Sequence, residues 1–396
     1  MEIKNTKSLK KYNKRAVLTE IINRQPISRA KLSDYLDVSH TTISNLIHEL
    51  KKEGLIIEKR SQSTGGRPPK LLSFNGDDKY NIAIIFKERV ILIGLFNLNN
   101  ELLERKIIKV TRNSFDIISN KLEKAIDQIF NKKNIQKNNI YGIGGSLPSC
   151  YQDSNDKLIN SNLAYLPNHN LKRKLKEVFD YANIYIENYA NIEAFYEWNN
   201  KLLRKYNNLL YIVAEDKIGS GLIIDNELYK GSFNKAGSIE HIIVDPNGKK
   251  CACGKNGCLV TTSSIKAIED DFNEALWKGS DTNIEELFES PYDFKKIIKA
   301  YLKDEPLSKK IIDNFLKYFS IALANIIKII DPQAVVLCGL FDEFDETMID
   351  TVHQKVKNSM QDYENSFPTI MKRTIEKNYQ LKAINSYIFH QLKTKI

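Results

Sequence analysis

Apolar residues recur at helical spacing through the first 52 residues of the chain. The periodicity predicts helices over residues 11–23, 29–36 and 40–52. In the third of these helices, one apolar stripe is formed by Ile43, Leu46, Ile47 and Leu50. Ser28 and Ser39 stand where the N-caps of the second and third helices are expected. Two short helices joined by a tight turn are the helix–turn–helix arrangement.

A β-hairpin is predicted directly after these helices. Short apolar segments over residues 55–60 and 71–74 flank the sequence SQSTGGRPPK, whose Gly, Ser and Pro residues favour a turn. The hairpin would be the wing of a winged helix–turn–helix, and Arg67 lies in its basic tip. A plain linker between domains is the alternative for this segment.

Beyond residue 80 the pattern changes to strands that alternate with helices. The predicted strands cover residues 81–86, 90–97, 101–110, 140–144, 184–187, 208–213, 221–224, 227–229 and 334–337. The predicted helices cover residues 114–131, 171–179 and 189–203, with further long helices over 262–330. Two halves of the βββαβα type predict a two-lobed α/β fold with a cleft between the lobes.

A chain of 396 residues is too long for one ordinary core. We expect a winged helix–turn–helix domain over residues 1–75 and a two-lobed domain over 76–396. Its lobes would cover about 76–187 plus the C-terminal helix, and about 188–380. No apolar run approaches the length of a membrane span, and the basic start lacks the apolar segment of a signal peptide. The sequence therefore predicts a cytoplasmic protein with no membrane partner.

The net charge of +10 is concentrated in the first domain. Residues 1–75 contain 15 Lys and Arg against 7 Asp and Glu, whereas the remaining residues contain 44 against 42. A local basic excess favours a polyanionic partner such as nucleic acid. A solvated lysine-rich surface is the alternative, and charge alone does not decide between them.

The outer face of the third predicted helix favours DNA as the partner. It carries short or planar polar side chains, and its first acidic residue is Glu49. Such side chains read base edges in the major groove, whereas a solvated helix would place acids in its first turn. We expect Arg67 to enter a narrow, A·T-rich minor groove and nearby cations to neutralise phosphates. The expected DNA-binding residues are Ser39, His40, Thr41, Thr42, Ser44, Asn45, Lys51, Lys59, Arg60 and Arg67.

Four potential metal ligands lie close together in the segment GSIEHIIVDPNGKKCACGKNGCL, residues 237–259. They are His241, Cys251, Cys253 and Cys258. Three thiolates and one imidazole make a complete tetrahedral shell for Zn²⁺ and leave no position for a reactive water. A disulfide framework is the weaker alternative, because three of only five cysteines lie in this one loop. The segment therefore predicts a structural zinc site.

The same segment resembles the signature of the ROK family, which groups repressors, uncharacterised reading frames and sugar kinases. That signature reads Gly-Glu-(Ile/Leu)-Gly-His, then Asp-Pro, then Cys-x-Cys-Gly-x-x-Gly-Cys-Leu. Weaker matches are Gly142-Ile143-Gly144, Asn162-Leu163, Glu187-Asn188, Gly219-Ser220-Gly221 and Cys338-Gly339-Leu340. The resemblance extends over nearly the whole chain. It implies an actin-like, sugar-kinase fold for the two-lobed domain and an operator-binding role for the winged helix that ends in GGRPPK.

Within that family, the segment ISRAKLSDYLDVSHTTISNLIHELKKEGLI is close in style to xylose repressors of Gram-positive bacteria.

The residues that the family pattern requires for kinase activity are missing. The phosphate-binding Asp-Gly-Gly-Thr turn is replaced by Phe86-Lys87-Glu88-Arg89, which has no glycine to let the backbone approach a phosphate. The catalytic Asp of the Asn-Asp-Ala-Asn motif is replaced by Tyr189. A phenol is a poor base at neutral pH, and loss of a general base costs about 10²–10⁴-fold in rate. We therefore predict that the chain is not an enzyme.

The family's sugar-binding residues are only partly kept. Two glutamates of the family pattern are replaced by Ser238 and Val260, and Glu240 replaces the glycine before the histidine. The resemblance implies effector-binding residues Asn162, Asn188, Tyr189, Ser238, Glu240 and His241. Fewer convergent polar groups leave open a hexose, a pentose, another small ligand or no ligand.

These features predict a repressor of carbohydrate utilisation genes, with xylose as one candidate sugar. It would bind palindromic, A·T-rich operator DNA as a homodimer or homotetramer. Ligand-driven closure of the cleft would change the spacing of the DNA-binding domains. Two alternatives stay open: a constitutive DNA-binding regulator that uses the second domain only as a dimer scaffold, and an active sugar kinase with an appended DNA-binding domain.

Overall fold

The computed structural model describes residues 6–60, 70–111, 114–159, 161, 163–199, 202–360, 366–374 and 376–395. The chain forms two compact units. The first consists of Met1–Glu187 together with Gln380–Ile396, and the second of Asn188–Tyr379. No helix in these ranges is long and apolar enough to cross a membrane.

The first unit begins with a winged helix–turn–helix. Its elements are α1 (Thr6–Arg24), β1 (Ile27–Ser28), α2 (Arg29–Leu36), α3 (His40–Lys52), β2 (Ile56–Arg60) and β3 (Lys70–Phe74). The strands form an antiparallel sheet in the order β1–β3–β2. The Ser28 and Ser39 hydroxyls cap α2 and α3 by accepting the backbone N–H groups of Lys31 and Thr42. Both caps stand at the predicted positions, and each satisfies a donor that the helix itself cannot pair.

A single apolar core holds these helices and strands together. The predicted stripe of α3 is fully buried, and it packs with Val17, Leu18 and Ile21 of α1. Leu98 and Leu392 from later in the chain belong to the same core. The Phe74 and Phe389 rings also meet, with centroids 5.4 Å apart. The winged helix is therefore packed onto the rest of the first unit.

The remainder of the first unit is an α/β layer. Its elements are β4 (Tyr80–Phe86), β5 (Val90–Asn97), β6 (Leu102–Lys109), α4 (Phe115–Lys133), β7 (Ile140–Leu147), β8 (Cys150–Gln152), β9 (Lys157–Ile159), α5 (Leu171–Val178) and β10 (Asn183–Asn188). The main sheet has the order β10–β7–β4–β5–β6. Strand β4 is parallel to β7 and antiparallel to β5. The apolar face of α4 is buried in the core that covers this sheet.

The second unit repeats the α/β plan. Its elements are α6 (Tyr189–Trp198), β11 (Leu209–Ala214), β12 (Ile218–Ile224), β13 (Glu227–Tyr229), α7 (Val260–Ser263), α8 (Ile265–Trp277), α9 (Ile284–Leu287), α10 (Phe294–Tyr301), α11 (Pro306–Ile330), β14 (Ala334–Gly339), α12 (Glu346–Asn358) and β15 (Thr369–Lys372). The sheet order is β13–β12–β11–β14–β15. The helix α13 (Tyr379–Lys395) belongs to the first unit from Gln380 onward.

The predicted fold class is confirmed as a winged helix–turn–helix followed by α/β units. Several element boundaries differ from the prediction. Helix α6 ends at Trp198, five residues early, where the polar Asn199 takes the C-cap position. The predicted helical stretch over 262–330 is interrupted where Ser264 caps α8 and again at Gly279, whose φ is +75°. The short strands β1, β8, β9 and β15 were not predicted.

Candidate DNA interface and candidate metal centre

Helix α3 presents a polar, uncharged surface at its N-terminal end. His40, Thr41 and Asn45 are exposed, and its first turn contains no acidic residue. Thr41 and Asn45 stand four residues apart and therefore share one face of the helix. Side chains of this kind donate and accept hydrogen bonds at base edges in a major groove. This face is the one predicted from the apolar stripe on the opposite side of the helix.

Two of the expected DNA-binding residues have a structural task in the helix itself. The Ser39 hydroxyl accepts the Thr42 backbone N–H at 3.2 Å and lies 2.9 Å from the Thr42 hydroxyl. Thr42 and Ser44 are half-buried. These contacts fix the start of α3 and so set the positions of the exposed side chains beside it.

The expected phosphate-binding cations differ in their exposure and in their ion pairs. Lys59 is exposed on β2. Lys51 is in the last turn of α3, and its ammonium lies 3.1 Å from a carboxylate oxygen of Glu58. Arg60 ends β2, and its side chain is outside the described residues, as is the whole of Arg67.

Glu58 is the centre of a charge cluster that the sequence analysis missed. We call Arg29, Lys51, Lys70 and Glu58 the wing-base cluster. Burial raises the pKa of the Glu58 carboxyl, but hydrogen bonds from Lys51 and Arg29 outweigh it and hold the pKa below its ordinary value. Strand alternation could have indicated that Glu58 is buried, since it lies two residues after the buried Ile56 and therefore on the same face of β2.

The four predicted metal ligands come together in the second unit. The nearest ligand atoms of His241, Cys251, Cys253 and Cys258 all lie within 4.8 Å of one another. His241 Nδ1 is 3.6 Å from the Cys251 sulfur, and the Cys253 and Cys258 sulfurs are 3.5 Å apart. Zn–S and Zn–N bonds of about 2.3 and 2.0 Å place neighbouring donors about 3.3–3.8 Å apart. The donor set therefore fits a tetrahedral metal ion.

The backbone of the loop holds these ligands in place. His241 ends a short 3₁₀ turn, and the Leu259 N–H donates to the Ile242 carbonyl at 2.8 Å. The Val244 N–H donates to the Gly257 carbonyl at 2.8 Å. Gly257 has φ +65°, and a β-carbon there would lie 1.5 Å from the Asp245 carbonyl oxygen. Only glycine fits at this close approach, which brings Cys258 back beside the histidine segment.

The thiols of the cluster have unlike environments. Burial raises the pKa of the Cys258 thiol to about 12. The exposed Cys253 accepts a hydrogen bond from the Lys255 backbone N–H, which lowers the pKa of its thiol. A bound divalent cation deprotonates a coordinating thiol outright. The cluster could thus hold a metal ion that compensates the charge of its thiolates.

Asn188 is the N-cap of α6, and Tyr189 is the first residue of that helix. The Asn188 side-chain oxygen accepts the Ala190 N–H at 2.8 Å and so caps the helix. A β-carbon added at Gly219 on β12 would lie 3.4 Å from the Tyr189 hydroxyl oxygen. Burial raises the pKa of the Tyr189 phenol well above its ordinary value, and the carboxylates of Glu215 and Glu193 raise it further. The phenol is therefore neutral at neutral pH.

The other expected effector-binding residues lie next to the metal loop. Ser238 is exposed, and Glu240 and His241 are half-buried in the 3₁₀ turn that follows it. Burial raises the pKa of the Glu240 carboxyl. His241 belongs to both expected sets, effector and metal, and its Nδ1 faces Cys251. Asn162 lies outside the described residues.

Comparisons with known proteins agree with this architecture. The sequence model of the ROK family matches residues 88–381, and that of an HTH domain matches residues 13–66. The xylose repressor of Bacillus spizizenii is 29% identical over 394 residues, which span 98% of this chain and 97% of that protein. It is a relative over nearly the full length of both chains.

Two solved structures share the fold. A ROK family transcriptional regulator, described as a homolog of the E. coli MLC protein, gives a TM-score of 0.84 at 21% identity and covers 98% of this chain and 99% of its own. The ROK hexokinase of Thermus thermophilus gives a TM-score of 0.64 at 19% identity and covers 79% of this chain and 99% of its own. The helix–turn–helix joined to the larger domain makes this protein a DNA-binding transcriptional regulator. Since the ROK model matches well over half of its 396 residues, the chain belongs to the ROK family.

Proposed function

We propose that this regulator is a sugar-responsive repressor of carbohydrate utilisation genes, with a pentose such as xylose as its effector. Residues 1–75 form the DNA-binding domain, and residues 76–396 bind the effector and pair the protomers. The observation that carries the proposal is the uncharged polar face of α3, presented by a winged helix on a ROK chain. The xylose repressor among its relatives supports the choice of sugar.

In the proposed complex, His40, Thr41 and Asn45 meet base edges, and Ser44 lies beside them. Lys51, Lys59 and Arg60 neutralise phosphates, and Arg67 enters an adjacent A·T-rich minor groove. Ser39 and Thr42 fix the start of the helix. A homodimer, or a tetramer built from two dimers, presents two such helices to a palindromic operator.

The proposed effector site consists of Asn188, Tyr189, Ser238, Glu240 and His241; Asn162, which the sequence also suggests, lies outside the described residues. The polar groups of this site include a neutral phenol, an amide, a hydroxyl and a carboxyl whose pKa burial raises. Groups of this kind donate and accept the hydrogen bonds that sugar hydroxyls form. A ligand that binds better to one domain arrangement than to the other shifts operator affinity by that difference.

The experiment is a fluorescence anisotropy titration of the full chain on a duplex selected by the protein from a randomised pool. We expect D-xylose to weaken operator binding about 5- to 150-fold, the usual range of allosteric coupling, and glucose to leave it unchanged. Binding that ignores a panel of pentoses and hexoses would instead establish the constitutive regulator. A chain that does not distinguish selected from scrambled duplex would refute the proposal altogether.

The cluster of His241, Cys251, Cys253 and Cys258 holds a structural Zn²⁺ in this proposal. The ion supplies folding free energy to the loop that carries its ligands. His241 links the metal to the effector-binding segment at Ser238 and Glu240. The four protein donors leave no open coordination position, which fits a structural and not a catalytic role.

We further propose that the ROK domain has no kinase activity. Tyr189 replaces the base, and its neutral hydroxyl lies against Gly219 of β12. The turn after β4 carries the exposed residues Lys87, Glu88 and Arg89. Both changes remove parts that phosphoryl transfer requires.

A coupled ADP-release assay over a panel of sugars, with an active ROK hexokinase as the positive control, measures this directly. We expect a rate at least about 10²-fold below that control, since a positioned general base alone contributes that much. Sugar-dependent ADP release at a rate comparable with the hexokinase would overturn the assignment and establish a kinase with an appended DNA-binding domain.

A further inference from the structure

We infer that Glu58 is a positioning residue for DNA binding: it gathers Arg29, Lys51 and Lys70 into one phosphate-binding cluster and thereby sets specificity. The inference rests on the proposed operator binding and adds to it. Arg29 and Lys70 become phosphate contacts, and an acidic residue becomes a determinant of how well operator is distinguished from other DNA.

The geometry places one carboxylate beneath three cations. The Arg29 guanidinium donates to Glu58 Oε1 through Nη2 at 2.8 Å and through Nε at 3.2 Å. The other oxygen, Oε2, accepts from Lys51 Nζ at 3.1 Å, and Lys70 Nζ lies 3.9 Å from it. The three cations come from the first turn of α2, the last turn of α3 and the first residue of β3.

Exposure separates the anchor from the groups that can reach a ligand. The Glu58 side chain is 6% exposed, whereas those of Arg29, Lys51 and Lys70 are 37%, 42% and 58% exposed. The carboxylate is thus shielded from a polyanion, and the cations are not. One negative and three positive charges leave the cluster with a formal charge of +2. A surface with this positive charge attracts the phosphates of a DNA duplex.

The position on the fold fits the phosphate backbone. The first helix of a helix–turn–helix crosses the backbone while the second enters the major groove. Arg29 is the first residue of α2, at the positive end of its dipole. Contacts to phosphate fix the register and orientation of the protein, and these in turn align the exposed side chains of α3 with base edges.

Two opposite effects follow from the carboxylate. Its negative charge reduces attraction to any DNA, because one of the three cations is neutralised. Its hydrogen bonds with Arg29 and Lys51 and its ion pair with Lys70 also hold three like charges close together against their mutual repulsion. Preorganisation favours the one register of the operator complex, whereas a complex with random DNA has no fixed register and responds to net charge alone.

The test is Glu58→Gln in the full chain, measured on selected operator and on a scrambled duplex across a salt series. We expect affinity for scrambled duplex to rise about 5- to 10-fold at 0.1 M salt, with the slope of log K against log salt steeper by about 0.9. Operator affinity should change less than about twofold, because the lost preorganisation offsets the added charge. The ratio of operator to scrambled affinity should therefore fall about fivefold.

Glu20→Gln is the matched control, since it raises the net charge equally but removes the partner of Arg24 on α1. If Glu58→Gln behaves like Glu20→Gln on both duplexes, the positioning role is wrong. Glu58→Asp keeps the charge and should keep the wild-type slope. If Glu58→Gln does not fold, Lys70→Gln tests the cluster on an exposed residue: its slope should be shallower by about 0.9, and an unchanged slope would contradict the inference that the cluster contacts phosphate.

The wild-type protein separates this inference from the proposal beneath it. Wild type that prefers operator while Glu58→Gln leaves the preference unchanged contradicts the positioning role alone. Wild type that shows no preference for any selected duplex contradicts both.

Discussion

Cys251→Ser is expected to abolish metal binding and to lower the melting temperature of the second unit by about 10 °C. The thiol is one of four donors within 4.8 Å of one another, and it is buried. Serine is a poor zinc ligand, and loss of one ligand from a closed shell removes folding free energy of the loop. At about 2–4 °C per kcal/mol for a unit of this size, a loss of about 3–4 kcal/mol gives that shift.

Metal analysis of the purified chain, combined with differential scanning calorimetry, checks this expectation. Wild type should carry about one zinc ion per chain, and a strong chelator should lower its melting temperature by as much as the substitution does. Cys150→Ser is the matched control, because Cys150 lies in the first unit and outside the cluster. A variant that melts like wild type, or a chelator without effect, would show that no structural metal is present.

The effect of Cys251→Ser on function is expected to depend on His241. Of the proposed metal ligands, it is the nearest in sequence to the proposed effector-binding residues, since Glu240 shares its 3₁₀ turn and Ser238 directly precedes that turn. A loop that loses its metal also loses the fixed position of that turn. We therefore expect Cys251→Ser to weaken the response of operator binding to xylose more than it weakens operator binding itself.

The sequence anticipated those parts of the fold that rest on long periodic segments. The stripe of α3, its Ser39 cap and the four metal ligands all carry local signals, either a spacing or a residue type that few other structures use. Each signal comes from residues that are close together in the sequence, so it can be recognised without knowledge of the tertiary structure. The metal ligands needed only one loop to come together, and the bridge between Ile243 and Cys258 closes that loop.

The partners of Glu58 in the wing-base cluster could not be predicted from local sequence, because the members of the cluster lie 7 to 41 residues apart. Arg29 pairs with Glu58 across 29 residues, through the antiparallel order β1–β3–β2. Lys51 was predicted as a phosphate contact, and the structure adds its intramolecular partner. Pairings of this kind depend on the tertiary register, which periodicity does not encode.

The double substitution Thr41→Ala with Asn45→Ala is expected to reduce operator affinity about 10²-fold. Both side chains are exposed on one face of α3, while the buried stripe on the other face is untouched. Each good contact to a base edge is worth about 1–3 kcal/mol of discrimination, so two contacts account for the loss. Alanine has a high helix propensity, and the helix itself should be retained.

Anisotropy titrations on operator and scrambled duplex, each across a salt series, distinguish base recognition from general attraction. Neither substitution changes the net charge, so affinity for scrambled duplex and its salt slope should stay within about twofold and 0.3 of wild type. Asn23→Ala, an exposed residue at the end of α1, is the matched control. Ser39→Ala separates capping from recognition, since it should lower stability by about 1 kcal/mol.

The two substitutions on the winged helix are therefore expected to move different quantities. Loss of Thr41 and Asn45 lowers operator affinity at constant salt slope, whereas Glu58→Gln raises affinity for scrambled duplex and steepens the slope. Phosphate contacts position the protein and base contacts specify the sequence, so a repressor must show both signatures independently. If the double variant lost operator and scrambled duplex equally, α3 would act only as part of the scaffold, and another surface of the chain would read the DNA.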